Sequence, residues 1–241
     1  MLKILSIGNS FSQDAHRYLH KVCTLAGKEI HNVNLYIGGC SLERHARHLA
    51  NNDREYSLEI HGEATGSFIS IDEALLLEDW DVVTLQQASN FSFDFTTYEP
   101  YIHILADHIR KVCPKAKIAI HQTWSYEDGS QKMESVGKKD HSDMFAGIKE
   151  AYNTAFKAVG ADILIPSGYA FDLLQDKGFK VHRDTFHAKY GFGRYALSLT
   201  WMKTLFGKEV TCGNFDAFDE PVTDEERSAA EQSASAACAA I

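Results

Sequence analysis

The stretch KILSIGNSFSQDAH, residues 3–16, contains the transition that decides the fold. An apolar run ends at Gly8, a short polar turn follows, and apolar residues then recur at the spacing of a helix. This order predicts a buried strand that enters a helix through a tight turn. Such a turn can present a nucleophile, and here it contains Ser10. An ordinary strand-to-helix connection has the same appearance, so Ser10 alone does not define the function.

Similar apolar segments recur along the chain, and most of them are near-continuous, which is typical of strands covered on both faces. Segments with apolar residues three or four positions apart lie between them and predict helices. This alternation predicts a flavodoxin-like α/β fold, a three-layer αβα sandwich with a mostly parallel five-stranded sheet. The predicted strands are residues 3–8, 32–39, 80–87, 116–122 and 161–168, and the predicted helices are 11–26, 98–112, 143–159, 191–207 and a C-terminal helix beginning at the TDEE capping box, 223–226.

The length of 241 residues suits a single domain, 1–241, and no stretch resembles a linker or a repeat. Two insertions interrupt the alternation. Residues 43–79 contain polar sequence, a small predicted hairpin and a short helix. Residues 124–142 lack an apolar period and directly follow the fourth predicted strand. Because ligands bind beyond the carboxyl ends of parallel strands, this second segment is a candidate lid, although a solvated surface loop fits it equally well.

The composition argues against several classes of partner. The net charge is −9 with His neutral and no Lys/Arg-rich run is present, which argues against nucleic acid and anionic membranes. The five Cys are scattered and indicate free thiols in a reducing compartment. No apolar run approaches the ~20 residues of a membrane span. We therefore expect a cytoplasmic protein, although a secreted or periplasmic chain whose signal peptide has been removed would look the same.

Polar and small residues follow four of the predicted strands. If the sheet is parallel, all of these groups lie along one edge, where open α/β sheets bind ligands. They are Gly8, Asn9 and Ser10 after the first strand, Gly38, Gly39, Cys40 and Ser41 after the second, Gln86, Gln87, Ala88, Ser89 and Asn90 after the third, and His121, Gln122, Thr123 and Trp124 after the fourth.

A second polar motif, HRDTFHAKYGFGRY, occupies residues 182–195 and places Asp184 three positions before His187. Residues at this spacing share one side of a helical turn or tight loop, so the carboxylate can contact the ring or its backbone. The pair is a weak signal by itself. Together with Ser10, a glycine able to offer an open N–H and an asparagine at a strand end, it supplies the nucleophile, base and oxyanion donors that ester hydrolysis requires.

Four blocks of the sequence resemble the SGNH (GDSL-type) hydrolases, and within them a bacterial branch whose first block reads Gly-Asn-Ser-Phe. The blocks occur in family order and span most of the chain. They are IGNSFS at residues 7–12, GGCS at 38–41, DVVTLQQASN at 81–90 and DTFHAKYGFGRYAL at 184–197.

The resemblance implies that Ser10 is the nucleophile, that His187 is the general base and that Asp184 orients His187. It also implies an oxyanion hole made by the N–H groups of Ser10 and Gly39 and by the side chain of Asn90. It requires no metal and no cofactor. Some relatives use a glutamine at the third strand end, so Gln86 and Gln87 stay alternatives to Asn90. The chain departs from the common pattern at Asn9, where Asp is usual, and at Ala88, where Gly is usual.

Three further residues, His121, Gln122 and Trp124, are candidates for substrate binding, although a satisfied core histidine fits His121 equally well. Four other histidines have helical spacing that could suggest metal ligands. Because no Glu or Cys completes a set, we expect them on a solvated face. They are His16, His20, His45 and His48.

The function that the resemblance implies is a serine esterase that removes an acetyl or other short acyl group from a carbohydrate or small metabolite. Two alternatives stay open. One is a flavodoxin-like protein that binds phosphate or flavin at the first loop, since helix N-termini bind anions. The other is an inactive, glycan-binding form of the hydrolase fold. The sequence predicts neither the oligomeric state nor the acyl group.

Overall fold

The computed structural model describes all 241 residues and contains one central sheet of seven strands. The strands are β1 (Leu2–Gly8), β2 (Ile30–Tyr36), β3 (Tyr56–Ile60), β4 (Glu63–Ile69), β5 (Val82–Leu85), β6 (Lys117–His121) and β7 (Ile163–Ile165). Their order across the sheet is β4-β3-β2-β1-β5-β6-β7. The five strands from β2 to β7 in this order run parallel, with β1 between β2 and β5.

The predicted α/β fold with a mostly parallel sheet is confirmed, but the predicted number of five strands is wrong. The hairpin within residues 43–79 does not stand apart from the sheet. Its first strand pairs antiparallel with β2, for example Ile60 with Val33, and its second forms the sheet edge. Most of β4 is exposed. A hairpin that extends a sheet with an exposed edge has the same sequence pattern as an isolated one, so the pattern could not indicate the attachment.

Ten helices surround the sheet, and no helix is both long enough and apolar enough to span a membrane. The helix predicted over residues 11–26 is broken at Arg17 and Tyr18, whose side chains bond to Asp219 and Tyr190 near the other end of the chain. The helices are α1 (Ser10–His16), α2 (Leu19–Leu25), α3 (Leu42–Asn51), α4 (Ile71–Leu75), α5 (Tyr101–Val112), α6 (Gln131–Ser135), α7 (His141–Ala158), α8 (Ser167–Asp176), α9 (Phe192–Phe206) and α10 (Asp224–Ala239).

Several histidines lie in the core, and the expectation of a solvated face for His16, His45 and His48 is wrong. The ring of His16 bonds to Ser6 Oγ at 2.8 Å through Nε2 and accepts from the Asn32 amide at 3.0 Å through Nδ1. Each nitrogen of the neutral His16 ring therefore has a hydrogen-bond partner within the protein. Burial lowers the pKa of His16, His45 and His121 to about 3 in each case. All three rings are therefore neutral at physiological pH.

Acidification is expected to destabilise the protein through these buried histidines. In the unfolded chain each ring has a pKa near 6.5, so below that pH the unfolded state binds more protons than the folded state. Stability is then lost as the pH falls from about 6.5 towards 3, by about 2 kcal/mol per histidine between pH 7.5 and 5.0. Urea unfolding at the two pH values measures this loss. The His121→Gln variant should lose about 2 kcal/mol less on acidification, and a loss equal to that of the wild type would contradict the prediction.

A buried ion-pair cluster joins α1 to the segment before α9 and to the first turn of α9. The carboxylate of Asp14 is fully buried and accepts from Arg183 Nη1 at 2.9 Å and from Arg194 Nε at 2.8 Å. It also accepts from the backbone N–H of Ala188 at 3.1 Å. Arg194 Nη1 also donates to Asp219 Oδ2 at 2.9 Å. The cluster therefore fixes the first helix against a loop about 170 residues later in the chain.

Removing the charge of Asp14 should destabilise the fold strongly. The Asp14→Asn variant leaves Arg183 without a counter-charge and Arg194 with Asp219 alone, and we expect a loss of about 3–5 kcal/mol in the free energy of unfolding. The matched control is Asp107→Asn, because the side chain of Asp107 is 75% exposed and lies 3.6 Å from Arg110. That surface pair should contribute less than about 1 kcal/mol. Denaturant unfolding compares the two variants, and equally small losses would show that the cluster does not support the fold.

Candidate active site

The turn between β1 and α1 presents Ser10 at the first position of the helix. Asn9 is the N-cap residue, and its Oδ1 accepts from the N–H of Phe11 at 3.0 Å. The turn is tight at Gly8, where an added Cβ would lie 2.3 Å from Ser12 Oγ. A residue with a side chain at position 8 would therefore displace the start of α1 and move Ser10.

Ser10, His187 and Asp184 form a continuous chain of hydrogen bonds. Ser10 Oγ lies 2.8 Å from His187 Nε2, and His187 Nδ1 lies 2.8 Å from Asp184 Oδ2. A carboxylate only accepts, so the proton of a neutral ring is on Nδ1, and Nε2 is free to accept from the serine hydroxyl. This is the geometry in which an imidazole can take the proton of a hydroxyl.

The loop that carries Asp184 and His187 is a tight, hydrogen-bonded turn. Its two ends pair at His182 and Ala188. Thr185 lies between the two polar residues at φ 77°, in the left-handed region that β-branched residues rarely adopt. The N–H of Glu127 donates to the Thr185 carbonyl at 2.8 Å and helps to hold this conformation. The turn directs both carboxylate oxygens of Asp184 towards His187.

The electrostatics of Asp184 follow from this turn. Burial acts to raise the pKa of its carboxyl, but hydrogen bonds from the His187 ring and from the His187 N–H at 2.9 Å outweigh burial. The pKa of Asp184 therefore lies below its ordinary value. An ionised Asp184 can hold the ring in the tautomer described above and can stabilise an imidazolium.

Three possible donors line the cleft beside the hydroxyl of Ser10. Gly39 lies in the turn after β2 at φ 61°, and its N–H donates to no group of the protein. The side chain of Asn90 is exposed to the cleft and makes no hydrogen bond within the protein. The N–H of Ser10, as the first of α1, has no partner within its helix. These three groups could donate hydrogen bonds to a small negatively charged oxygen in the cleft.

The cleft has a volume of about 300 Å³ and opens at the carboxyl edge of the parallel strands. Its aromatic walls are Phe11, Tyr36 and Phe186, and Ser89 and Lys132 add polar groups. Larger hollows lie elsewhere, near Tyr169 and near Trp80, but neither contains a serine beside a histidine. We take the smaller cleft as the candidate active site because it contains the hydrogen-bonded chain.

The two glutamines that were alternatives to Asn90 do not line the cleft. Gln86 is buried, donates to Asn9 Oδ1 at 2.6 Å and accepts from His121 Nδ1 at 2.7 Å. Gln87 is also buried, and its Oε1 accepts from two backbone N–H groups at 2.9 Å. Both amides are engaged in holding loops together, so among the three candidates only Asn90 lines the cleft.

The structure corrects the expectation that His121, Gln122 and Trp124 bind substrate, because all three are buried and none lines the cleft. His121 Nε2 accepts from Ser167 Oγ at 3.0 Å, so His121 is a satisfied core histidine. Gln122 Oε1 accepts from the backbone of α8. The Trp124 ring stacks on Phe11 at 4.0 Å and therefore supports a wall of the cleft from behind. His121 ends a strand that is covered on both faces and the other two residues follow it, so their side chains enter the helical layers.

Sequence reasoning missed three residues that line the cleft: Tyr36, Phe186 and Lys132. Phe186 lies inside the DTFH motif, and Tyr36 is the last residue of β2. Both positions could therefore have been identified from the sequence as neighbours of the site. For Lys132 the sequence offered only its position in the candidate lid. The segment 124–142 contains the short helix α6, and Lys132 of this helix reaches the cleft.

Asn9 connects the ends of three strands. Its Nδ2 donates to the carbonyl of Cys40 at 3.1 Å, and its Oδ1 accepts from Gln86 as well as from Phe11. The first contact ties the turn that contains Gly39 to the start of α1. The amide group satisfies donors and acceptors together, which a carboxylate cannot do. This explains in physical terms why Asn suits a position where the commoner motif has Asp.

The fold is that of the SGNH or GDSL-like hydrolases, since solved structures with these descriptions resemble most of the chain. A predicted SGNH hydrolase from Slackia heliotrinireducens has a TM-score of 0.62 at 24% identity, over 85% of this chain and 98% of its own. A predicted GDSL-like lipase from Parabacteroides merdae has a TM-score of 0.57 at 14% identity, over 84% of this chain and 94% of its own. At these identities the likeness describes the fold alone.

The chain belongs to the DUF4886 family, a domain of unknown function, whose family model matches residues 3–237. A DUF4886 family protein from Bacteroides uniformis is similar at 31% identity and a TM-score of 0.88, over 98% of this chain and 94% of its own. No curated protein matches the sequence. The resemblance to a Gly-Asn-Ser-Phe branch of the superfamily stays a prediction.

Replacing Asn9 by Asp should destabilise the site through its buried contacts. The Asn9→Asp variant loses the donor to Cys40 and places a carboxylate against that carbonyl, so we expect a loss of about 1–3 kcal/mol in the free energy of unfolding. The control is Asn214→Asp, because Asn214 is exposed. Denaturant unfolding at pH 7.5 measures both variants. A stable Asn9→Asp variant would show that these amide contacts do not hold the turn.

Proposed function

We propose that the protein is a serine esterase that removes an acetyl or other short acyl group from a carbohydrate or small metabolite. The observation that carries this proposal is the 2.8 Å contact between Ser10 Oγ and His187 Nε2, continued to Asp184. The SGNH-like fold and the four sequence blocks that resemble this superfamily add support.

In the proposed reaction, His187 Nε2 takes the proton of Ser10 as Oγ attacks the carbonyl carbon of the ester. The carbonyl π electrons move to oxygen and form a tetrahedral oxyanion. Collapse of this intermediate breaks the bond to the alcohol oxygen, which receives the proton from His187 and leaves. Water, deprotonated by His187, then cleaves the acyl-serine ester, and the proton returns to Ser10 Oγ. Asp184 stabilises the imidazolium in both halves of the reaction.

We further propose that the oxyanion is bound by the N–H groups of Ser10 and Gly39 and by the amide of Asn90. Each lies in the connection that follows a different strand, and all three line the same cleft. Loss of one such donor typically costs about 2.7–4 kcal/mol of transition-state stabilisation. Gly39 acts through its backbone, whereas Asn90 acts through a side chain that can be removed by mutation.

The size and lining of the cleft support a short acyl group. A volume of about 300 Å³ is at the lower end of the range for small-molecule sites. The aromatic walls formed by Phe11 and Tyr36 can cover a methyl or short alkyl group. A polar surface adjoins it and can accommodate a hydroxylated alcohol.

Hydrolysis of p-nitrophenyl acetate tests the proposal. The Ser10→Ala variant should lose at least about 10³-fold in kcat/KM, because no attacking oxygen remains. The matched control is Ser89→Ala, since Ser89 also lines the cleft but bonds to Tyr126 rather than to a base. It should retain its rate within a few-fold. Equal turnover by wild type and Ser10→Ala would remove Ser10 from the mechanism.

A fluorophosphonate probe followed by mass spectrometry provides a readout that does not depend on the choice of ester. Wild type and Ser89→Ala should be labelled on Ser10, whereas Ser10→Ala and His187→Ala should not be. An unlabelled wild type would contradict the proposed activity and favour a binding module with the same fold.

A further inference from the structure

One lysine borders the cleft that contains Ser10. Lys132 belongs to α6, within the segment 124–142, and lines the cleft together with Phe186. Its ammonium lies 4.8 Å from the centre of the Phe186 ring and 5.7 Å from that of Tyr126. These cation–π contacts hold the flexible side chain over the aromatic wall.

The side chain of Lys132 is partly buried, and its ammonium has no acidic partner within 4.0 Å. Other partly buried lysines are paired, such as Lys138 with Asp143 and Lys189 with Glu226. A cation that lacks a counter-charge and lies against aromatic rings attracts an anion more strongly than one surrounded by water alone. The cleft therefore contains a positive charge that the protein itself does not neutralise.

The position of Lys132 relates it to one half of the proposed substrate. Phe186 directly precedes His187, and the two rings lie 3.9 Å apart. In the proposed reaction His187 returns its proton to the departing alcohol, so the alcohol half must lie beside this ring. Lys132, above Phe186, consequently flanks the alcohol rather than the acyl group.

An open depression of about 730 Å³ adjoins the cleft and shares Lys132 with it. Its other lining residues are polar, so it suits a hydroxylated group rather than a lipid. Glu134 is the acidic residue of this depression and does not line the cleft, so the positive charge is concentrated where the two hollows meet. The other residues of the depression are Gln131, Ser135 and Thr185.

We propose that the alcohol half of the substrate carries an anionic group close to the ester, and that Lys132 binds this group. The substrate class is then a short-chain acyl ester of an acidic, polar alcohol, with a carboxylate or a phosphate as the anion. This inference rests on the proposed esterase function and adds to it the charge of the leaving alcohol.

Three acetate esters with related leaving groups test the inference: 3-acetoxybenzoate, 3-acetoxyphenyl phosphate and the neutral methyl 3-acetoxybenzoate. The measured quantity is the ratio of kcat/KM for each anionic ester to that for the neutral ester. In Lys132→Met this ratio should fall about tenfold, chiefly through KM, because a charge-assisted contact is lost. In Lys132→Arg the ratio should be largely restored. High salt should lower the wild-type ratio by screening.

The control is Lys139→Met, since Lys139 belongs to the same segment and its side chain is 86% exposed. Its ratio should equal that of the wild type. If Lys132→Met keeps the wild-type ratio while the neutral ester is still cleaved through Ser10, the inference is overturned and the esterase proposal stands. If no ester is cleaved in a Ser10-dependent way, both are overturned. A fall confined to the phosphate ester identifies phosphate as the anion, and one confined to 3-acetoxybenzoate identifies carboxylate.

Discussion

The buried carboxylate of Asp14 is the constraint on which the geometry of the cleft depends. Ser10 and His187 are separated by 177 positions, and their elements share no local sequence context. Asp14, on the helix that begins with Ser10, accepts from Arg183 and from the N–H of Ala188, on either side of the Asp184–His187 pair. A buried carboxylate is strongly unfavourable unless it is paired and hydrogen-bonded. The fold therefore requires the two segments to meet in a narrow range of positions, which is also the range in which the hydroxyl reaches the imidazole.

Much of the architecture could be predicted from the sequence because it follows from a topological rule. Near-continuous apolar segments indicated five parallel strands, and parallel strands gather their carboxyl ends at one edge. Ser10, Gly39 and Asn90 come from three such ends and line one cleft, as the rule implies. The Asp184–His187 spacing indicated a local contact, and two hydrogen bonds join these residues directly.

Other features depended on contacts that no local pattern records. The side chains after β6 were expected in the cleft, but both faces of this strand are covered and His121 and Trp124 enter the layers. The break after α1 coincides with bonds from Arg17 and Tyr18 to residues about 170 to 200 positions away. The place of Lys132 depends on the packing of Phe186, which lies 54 positions later by the numbering. Tertiary contacts of this kind override periodicity and propensity.

The ion-pair cluster also has a consequence for the order in which the molecule can be completed. During translation Asp14 is joined 169 residues before Arg183 and 180 residues before Arg194. Until then Asp14 has no cation to neutralise it in an apolar interior, so the nascent helix cannot dock in its final place. The serine is thus made well before the residues that fix its helix in position.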